Sequence, residues 1–345
     1  MTNRIKAVVY GVGAMNSIIA KMLLDKDVEI VGAISRSARK VGRDLGAVAE
    51  LGFDTGIVIS DDAGAVLEAT LPDIAVIAVN SYMADAVEQL RICAEHGVNA
   101  VTLSEEALFP WNTSPEITAE LDAIAKRTGA TLTGTGHQDT YWVNIVALLM
   151  GTAHRIDSVA GRASWNVDDY GPEVAGDQLV GRSVGEFEEW LSHADRPPSF
   201  GRNVLDALVS DTALTVKSIS TTTRPDIATK AMFSRSLDQE VEAGGVVGFT
   251  DIDEIATHEG PLFSFEMSGR LYDLGEGDIN EWEILGQPNL TLSNGTVPTQ
   301  MTTCTQIVNR IPDVILAEPG FVTVDTLPRL RYRALPMHHY LGDKR

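Results

Sequence analysis

Cysteine is almost missing from this chain: Cys93 and Cys304 are the only two in 345 residues, far apart and without CxxC spacing. That leaves no disulfide framework and no thiolate cluster for a structural metal. Cys93 falls on an apolar helix face and is read as a core residue; Cys304 is read as structural. Positive charge is scarce as well. Lys and Arg total 27 against 48 Asp and Glu, a net charge of −21, so the surface as a whole repels nucleic acid and anionic lipid. A pocket for a phosphorylated ligand must therefore be local. No apolar run is long enough to span a bilayer and no leader pattern precedes the first strand, which makes the cytoplasm the expected setting. Internal repeats and low-complexity segments are lacking too. What the chain does have is 44% hydrophobic residues, enough for a packed core, in a length that fits two domains.

The most informative stretch runs from Lys6 to Asn16. Ala7 to Tyr10 reads as a short buried strand, Gly11 and Gly13 follow at once, and Met15, Ile18, Ile19, Met22 and Leu23 then share one face at helical spacing. Strand, glycine turn and helix, in that order, make a phosphate cradle. The glycines let backbone approach a pyrophosphate. The helix start at Ala14, Met15 and Asn16 offers free N–H groups and the positive end of the helix dipole. A dinucleotide-binding domain is the reading. Asn16 stands where a third Gly or Ala is usual; it either widens the helix–strand packing or adds a side-chain contact to the phosphate.

The second strand, 28–34, ends in Ser35-Arg36-Ser37, with Arg39 and Lys40 behind. An acid there would bind the 2′-hydroxyl of an adenosine ribose and repel a 2′-phosphate. Hydroxyls and guanidinium groups suit the phosphate, so NADP(H) is expected over NAD(H), which stays possible. The competing reading is an ordinary solvated loop. A third short strand is expected at 56–59. Residues 73–79 form a fully apolar strand, as parallel sheets require, ending at Asn80 and Ser81. Ligands gather at such strand ends in open α/β sheets. These two residues can touch the ribose or nicotinamide, cap the next helix, or do both. The strand at 99–104 ends in Glu105 and Glu106 at the same rim. One carboxylate is expected to face the ligand while its neighbour turns away, with Glu105 the inward one. Residues 130–135 are read as the last strand of this domain, followed by the polar and aromatic run Gly136-His137-Gln138-Asp139-Thr140-Tyr141-Trp142.

From about 156 the periodicity changes. Strands are expected at 156–167, 214–222, 242–257, 261–271, 278–285 and 289–292, with helices at 184–191 and 203–209. Few helices part these strands, so their pairing should be mostly antiparallel. The fold class is α/β: a Rossmann doubly wound parallel sheet, then a C-terminal α+β domain with a mostly antiparallel sheet. Residues 1–140 are the dinucleotide-binding domain and 141–296 the substrate and dimerisation domain. A helix near 297–312, opened by Thr296-Val297-Pro298 and ended at Ile311-Pro312, returns with the C-terminal segment to complete the first.

Four motifs together resemble one family across nearly the whole chain. They are Gly11-Val-Gly-Ala-Met, Thr102-Leu-Ser-Glu-Glu, Gly136-His-Gln-Asp-Thr-Tyr-Trp and the ending Val308-Asn-Arg-Ile-Pro-Asp-Val-Ile-Leu-Ala-Glu-Pro-Gly320. The family is the native amine dehydrogenases, relatives of 2,4-diaminopentanoate dehydrogenase, with an N-terminal domain similar to that of dihydrodipicolinate reductase. The resemblance implies NAD(P)H-dependent reductive amination of a small aliphatic ketone or aldehyde with ammonia, reversible as oxidation of a primary amine. It also implies a homodimer with its active site in the interdomain cleft. It maps the catalytic glutamate to Glu105 and the pocket aromatics to Trp142 and the region of Trp165 and Tyr170; the competing reading of all three is plain core packing. His137 is read as a proton shuttle or a structural hydrogen bonder; Gln138 and Asp139 are open in the same way. An aromatic wall without an Arg clamp favours a small apolar carbonyl over a 2-keto acid.

There are departures and rivals. Ser35 stands where NAD-preferring relatives can carry an acid, and the His-His…Lys signature of dihydrodipicolinate reductase is missing. A diamino acid dehydrogenase would need partners such as Arg162 or Asp168 in its pocket. A non-catalytic NADPH-binding sensor would bind cofactor without turnover, and the intact Glu105 counts against it. His338 and His339 are adjacent and so share no face, and no acid or cysteine cluster joins them; no metal is expected.

Overall fold

The computed structural model describes residues 4–193 and 196–342. The chain folds as two units, Met1–Thr140 with Met301–Arg345, and Tyr141–Gln300. In the first, β1 (Lys6–Tyr10), β2 (Glu29–Ile34), β3 (Ile74–Ile77), β4 (Asn99–Thr102) and β5 (Thr131–Gly134) are interleaved with α1 (Ala14–Asp25), α2 (Leu45–Val48), α3 (Ala63–Thr70), α4 (Met83–Glu95) and α5 (Pro115–Thr128). Most of α10 (Thr299–Leu316) and all of β14 (Gly320–Phe321) return to this unit. The sheet order is β14-β5-β4-β3-β1-β2, and every pair is parallel.

The first three strands are largely apolar, and β4 and β5 are mostly or wholly buried though they carry threonines, because both faces of the sheet are covered. Along β1, Ala7 and Val9 enter a core with Ile19, Leu23, Ile307 and Ile311. Val8 and Tyr10 point the other way, into a core with Leu67, Leu90 and Leu121. The chain reverses its direction of sheet-building between β1 and β3, so the switch point of the sheet lies beside the glycine turn.

Three sequence expectations are corrected in this unit. Residues 56–59 form no strand; only the single bridges Asp44↔Val58 and Ile34↔Ser60 occur. The Asp44 carboxylate accepts the Thr55 and Gly56 N–H groups at 3.1 and 2.8 Å, which bends the segment around itself. The strand at 131–134 is not the last, since Gly320 and Phe321 pair with Thr131 and Leu132. Finally, α10 runs through Pro312 to Leu316. An interior proline costs roughly 3 kcal/mol; burial of Ile307, Val308, Ile311 and Val314 along the same helix offsets it.

The second unit carries a mixed sheet ordered β13-β12-β6-β11-β10-β7. Its strands are β6 (Arg155–Asn166), β7 (Val216–Ile227), β10 (Val246–Thr257), β11 (Leu262–Arg270), β12 (Ile279–Gln287) and β13 (Leu290–Gly295), joined by a small pair, β8 (Met232–Ser234) and β9 (Gln239–Val241). Only β6 and β11 run parallel; the other pairs are antiparallel. Helices α6 (Ile145–Met150), α7 (Pro172–Asp177), α8 (Val184–Ser192) and α9 (Phe200–Thr212) complete it. Pro225 sits in β7, an edge strand, where a missing N–H is tolerated. Phe265 stacks on Trp282 with centroids 5.0 Å apart. Gly161 makes room for both rings, because a Cβ there would lie 2.5 Å from Trp282. The sequence reading did not anticipate α7 or the β8–β9 pair, each too short to show a period.

Candidate active site

The glycine turn follows β1 directly. Gly11 has φ +87°, and a Cβ on it would meet the Ala78 carbonyl oxygen at 2.4 Å, so only glycine fits between β1 and the end of β3. Gly13 is the N-cap of α1, and no side chain caps the helix there. A Cβ on Gly13 would point into open space. The first turn of α1, at Ala14 and Met15, therefore presents backbone toward a space that this unit leaves open. That combination fits a dinucleotide pyrophosphate. Asn16 is corrected: it is fully buried, and its Nδ2 donates to the carbonyls of Tyr10, Gly11 and Val76 at 3.0, 2.9 and 3.2 Å. Its amide nitrogen ties the turn to β1 and β3 rather than reaching for a phosphate.

Beyond β2, Ser35 is buried and its hydroxyl accepts the Ser37 N–H at 3.3 Å. Arg36 is exposed and paired with the Glu88 carboxylate. Arg39 is exposed. Lys40 instead turns inward, its ammonium donating to the Val12 carbonyl at 2.6 Å, within the glycine turn. The sequence placed Lys40 only as background charge.

At the ends of β3 and β4 the two glutamates separate. Glu106 is 1% exposed. Its Oε2 accepts the Met83 N–H at 2.8 Å, and its Oε1 accepts the Thr113 and Ser114 hydroxyls at 2.7 Å each. It thus supplies the cap that the expected residues do not: the N-cap of α4 is Tyr82, whose side chain makes no capping bond. Asn80 is exposed and its carbonyl accepts the Ser104 hydroxyl at 2.7 Å, while the Ser81 carbonyl accepts the Glu106 N–H at 3.1 Å. Glu105 opens a 3-10 turn, Glu105–Leu108. Part of its surface is accessible, yet its carboxyl sits deep enough that desolvation raises its pKa from 4.5 to about 7, opposed by a hydrogen bond from the Ser81 side chain. Perturbed carboxyls at strand ends are candidate catalytic groups.

The end of β5 adjoins that turn: a Cβ on Gly134 would lie 2.3 Å from the Ala107 carbonyl carbon, and the Thr135 N–H donates to the Thr102 carbonyl at 2.9 Å. His137 is 4% exposed, with Nδ1 hydrogen-bonded to the Thr302 hydroxyl at 2.8 Å. Burial pushes its pKa down to about 3. The ring is thus neutral at working pH, which favours hydrogen bonding over proton shuttling. Gln138 is buried and donates to the Thr135 carbonyl at 3.4 Å. Asp139 is fully buried against Arg310, at 2.6 Å, a partnership that the sequence reading missed.

The aromatic candidates belong to the second unit. Trp142 is 7% exposed and its ring lies 5.2 Å from Phe265. Trp165 meets Tyr170 edge-on at 5.3 Å. Arg162 is ion-paired with Glu281 at 2.7 Å, and Asp168 accepts the Ser234 hydroxyl and the Arg235 N–H at 2.7 and 2.8 Å. Near the C-terminus, His338 Nδ1 lies 3.7 Å from the Asp27 carboxylate. Among the described residues no group of three or more His, Cys, Asp or Glu side chains is arranged to hold a metal. Nor is any helix among them long and apolar enough to cross a membrane.

Residues 142–337 match the 2,4-diaminopentanoate dehydrogenase C-terminal domain. The chain is 26% identical over 340 residues to 2,4-diaminopentanoate dehydrogenase of Acetoanaerobium sticklandii, covering 94% of each. It is 73% identical to an amine dehydrogenase from Mycobacterium smegmatis of known structure, with TM-score 0.94 over 96% of this chain and 98% of that one. GenD2 from gentamicin A biosynthesis, solved in complex with NAD, shares the fold at TM-score 0.61 and 14% identity, covering 99% of this chain and 93% of that one. With a domain match spanning more than half its length, the chain belongs to the 2,4-diaminopentanoate dehydrogenase C-terminal domain family and is an oxidoreductase.

Proposed function

We propose that this oxidoreductase is an NADPH-dependent amine dehydrogenase that reductively and reversibly aminates small aliphatic ketones or aldehydes with ammonia. The observation that carries the reading is the division of labour between two adjacent acids. Glu106 is spent on three structural hydrogen bonds, while Glu105 keeps a carboxyl with a pKa near neutrality. When bound on Gly11, Gly13, Ala14 and Met15, the reduced nicotinamide cofactor supplies the hydride. Ser35, Arg36, Ser37, Arg39 and Lys40 supply hydroxyls and cations suited to a 2′-phosphate, and Asn80 and Ser81, following β3, would contact the ribose or nicotinamide.

The chain's own chemistry is proton transfer. As carboxylate, Glu105 takes a proton from ammonium and frees the ammonia nucleophile. Addition to the carbonyl gives a carbinolamine. The Glu105 carboxylic acid protonates its departing hydroxyl, which leaves as water, and an iminium ion remains beside the new carboxylate. That ion pair exists only after the neutral carbonyl has been converted, so the acid stabilises the reaction path more than the ground state. His137, neutral and buried, and Gln138 act as hydrogen-bonding groups; Trp142, Trp165 and Tyr170 give the substrate side its apolar, aromatic character.

The A. sticklandii relative favours a second reading, a diamino acid dehydrogenase. Against it, Arg162 and Asp168 are engaged by Glu281 and by Ser234 and Arg235. Reduction of NADP by simple alkylamines, compared with diamino acids, decides between them: turnover on alkylamines is expected, and turnover confined to diamino acids would refute the proposal. Cofactor binding without any turnover would point to the sensor. A homodimer in the cytoplasm completes the proposal, and light scattering after size-exclusion chromatography tests the dimer.

A further inference from the structure

The polar groups that follow β5 are held by a regular stripe on α10. Thr302, Gln306 and Arg310 recur every four residues, one helical face. Each takes a different handle. Thr302 bonds His137 Nδ1 at 2.8 Å. The Gln306 amide oxygen accepts the Thr140 N–H at 3.0 Å. Arg310 meets Asp139 through Nε at 3.0 Å and through Nη2 at 2.6 and 2.7 Å. The row is braced from behind. Arg310 Nη1 also donates to the Pro328 carbonyl and faces Asp313. Asp313 in turn accepts from Arg333 at 2.6 Å.

Charges alternate along this chain of four, and Asp139 and Arg310 are both fully buried. A buried ion pair adds little to stability compared with apolar packing of the same volume; what it can impose is a unique geometry. The segment it fixes is unusual. Residues Asp139–Asn144 form a π-helical turn, a conformation that recurs at functional sites. The strand leading into it, β5, is seated on the turn that carries Glu105, since Gly134 leaves no room for a Cβ against Ala107.

We propose that the stripe Thr302–Gln306–Arg310 is a positioning device that clasps the His137–Thr140 segment in register beside Glu105 and holds the His137 ring in one orientation. These are positioning residues; they act through His137 and the backbone of the segment. The inference rests on the amine dehydrogenase reading for its kinetic consequence but not for its structural one.

Hydrogen exchange and kinetics on the full-length protein test both. Thr302→Val removes the hydroxyl and Gln306→Leu removes the acceptor, each leaving the Arg310–Asp139 pair in place. In both variants amide exchange across residues 137–144, Thr140 above all, should speed up by about tenfold or more while the β1 and β4 amides are unchanged. Amination kcat should fall about tenfold or more with NADPH Kd within about twofold of wild type. Thr302→Ser and Gln306→Glu should restore most of both. Wild-type exchange and wild-type kcat in Thr302→Val and Gln306→Leu would overturn the proposal, as would a loss that Thr302→Ser does not repair. Faster exchange with unchanged kcat would show that the segment's position does not serve turnover, and would overturn it too. A wild-type enzyme inert on every amine would refute the functional reading instead, and exchange alone would then decide the clasp.

Discussion

The Glu106 carboxylate accepts the Met83 N–H at 2.8 Å, so an acid at the end of β4 caps the helix that begins after β3. Thr113 and Ser114 add two more bonds to the same carboxylate. Replacing it by Gln puts an amide NH2 where one of those donors now points. We expect Glu106→Gln to lose about 1–3 kcal/mol of stability, the cost of leaving buried donors unpaired, measured by urea denaturation. A variant as stable as wild type would contradict the structural assignment.

Neighbouring Glu105 should behave in the opposite sense. Its carboxyl pKa is raised from 4.5 to about 7 on folding. Below 4.5 it is protonated in both states and burial costs nothing. As pH climbs from 4.5 to about 7, the unfolded chain sheds the proton first, so stability drops; above that it levels off. Glu105→Gln should therefore be more stable than wild type at pH 8, by up to about 3 kcal/mol, with the gap closing near pH 4. Paired thermal melts across that range check it; a gap independent of pH would show that Glu105 is not a buried titrating acid.

The two glycines of the turn should also part company. Gly11→Ala places a methyl group 2.4 Å from the Ala78 oxygen at positive φ and should destabilise the fold. Gly13→Ala meets no protein atom, so Tm should hold while NADPH affinity drops about tenfold or more, or about 1.4 kcal/mol. Unchanged affinity, by fluorescence titration, would mean that the space in front of Gly13 is not the cofactor's.

The proposed preference for a 2′-phosphate draws on two cations, Lys40 and Arg36. Lys40 already reaches the glycine turn, whereas Arg36 must leave Glu88. Lys40→Ala should weaken NADPH by about tenfold with NADH nearly unchanged, and Arg36→Ala should do the same to a smaller degree. Should both variants keep the wild-type ratio of NADPH to NADH affinity, the preference for the phosphorylated cofactor is wrong.

How much of this was legible from residues alone follows from the range of the forces involved. Strands β1 to β5 are short runs rich in apolar or β-branched residues set between helices, so local pattern is enough to find them. Residues 56–59 mislead because they are apolar yet bent around Asp44. Pro312 misleads because helix packing outweighs a local breaker. The glutamate pair was visible as a pair, and Glu105 was favoured; why Glu106 turns away required Met83, Thr113 and Ser114 to be seen around it. Arg310 and Asp139 lie 171 residues apart, and a single sequence carries no signal for such a partnership. Asn16 is irregular by sequence alone, but its three carbonyl partners come from two stretches of backbone, Tyr10-Gly11 and Val76, the second 60 residues away.

In the proposed reaction one acid at the end of β4, Glu105, carries the protons of carbon–nitrogen bond formation. Steady-state amination by Glu105→Gln, with NADPH Kd measured on the same preparation, tests it most directly. The variant should lose about a thousandfold in kcat with Kd within about twofold of wild type. Amination near the wild-type rate in a variant that still binds NADPH would contradict it.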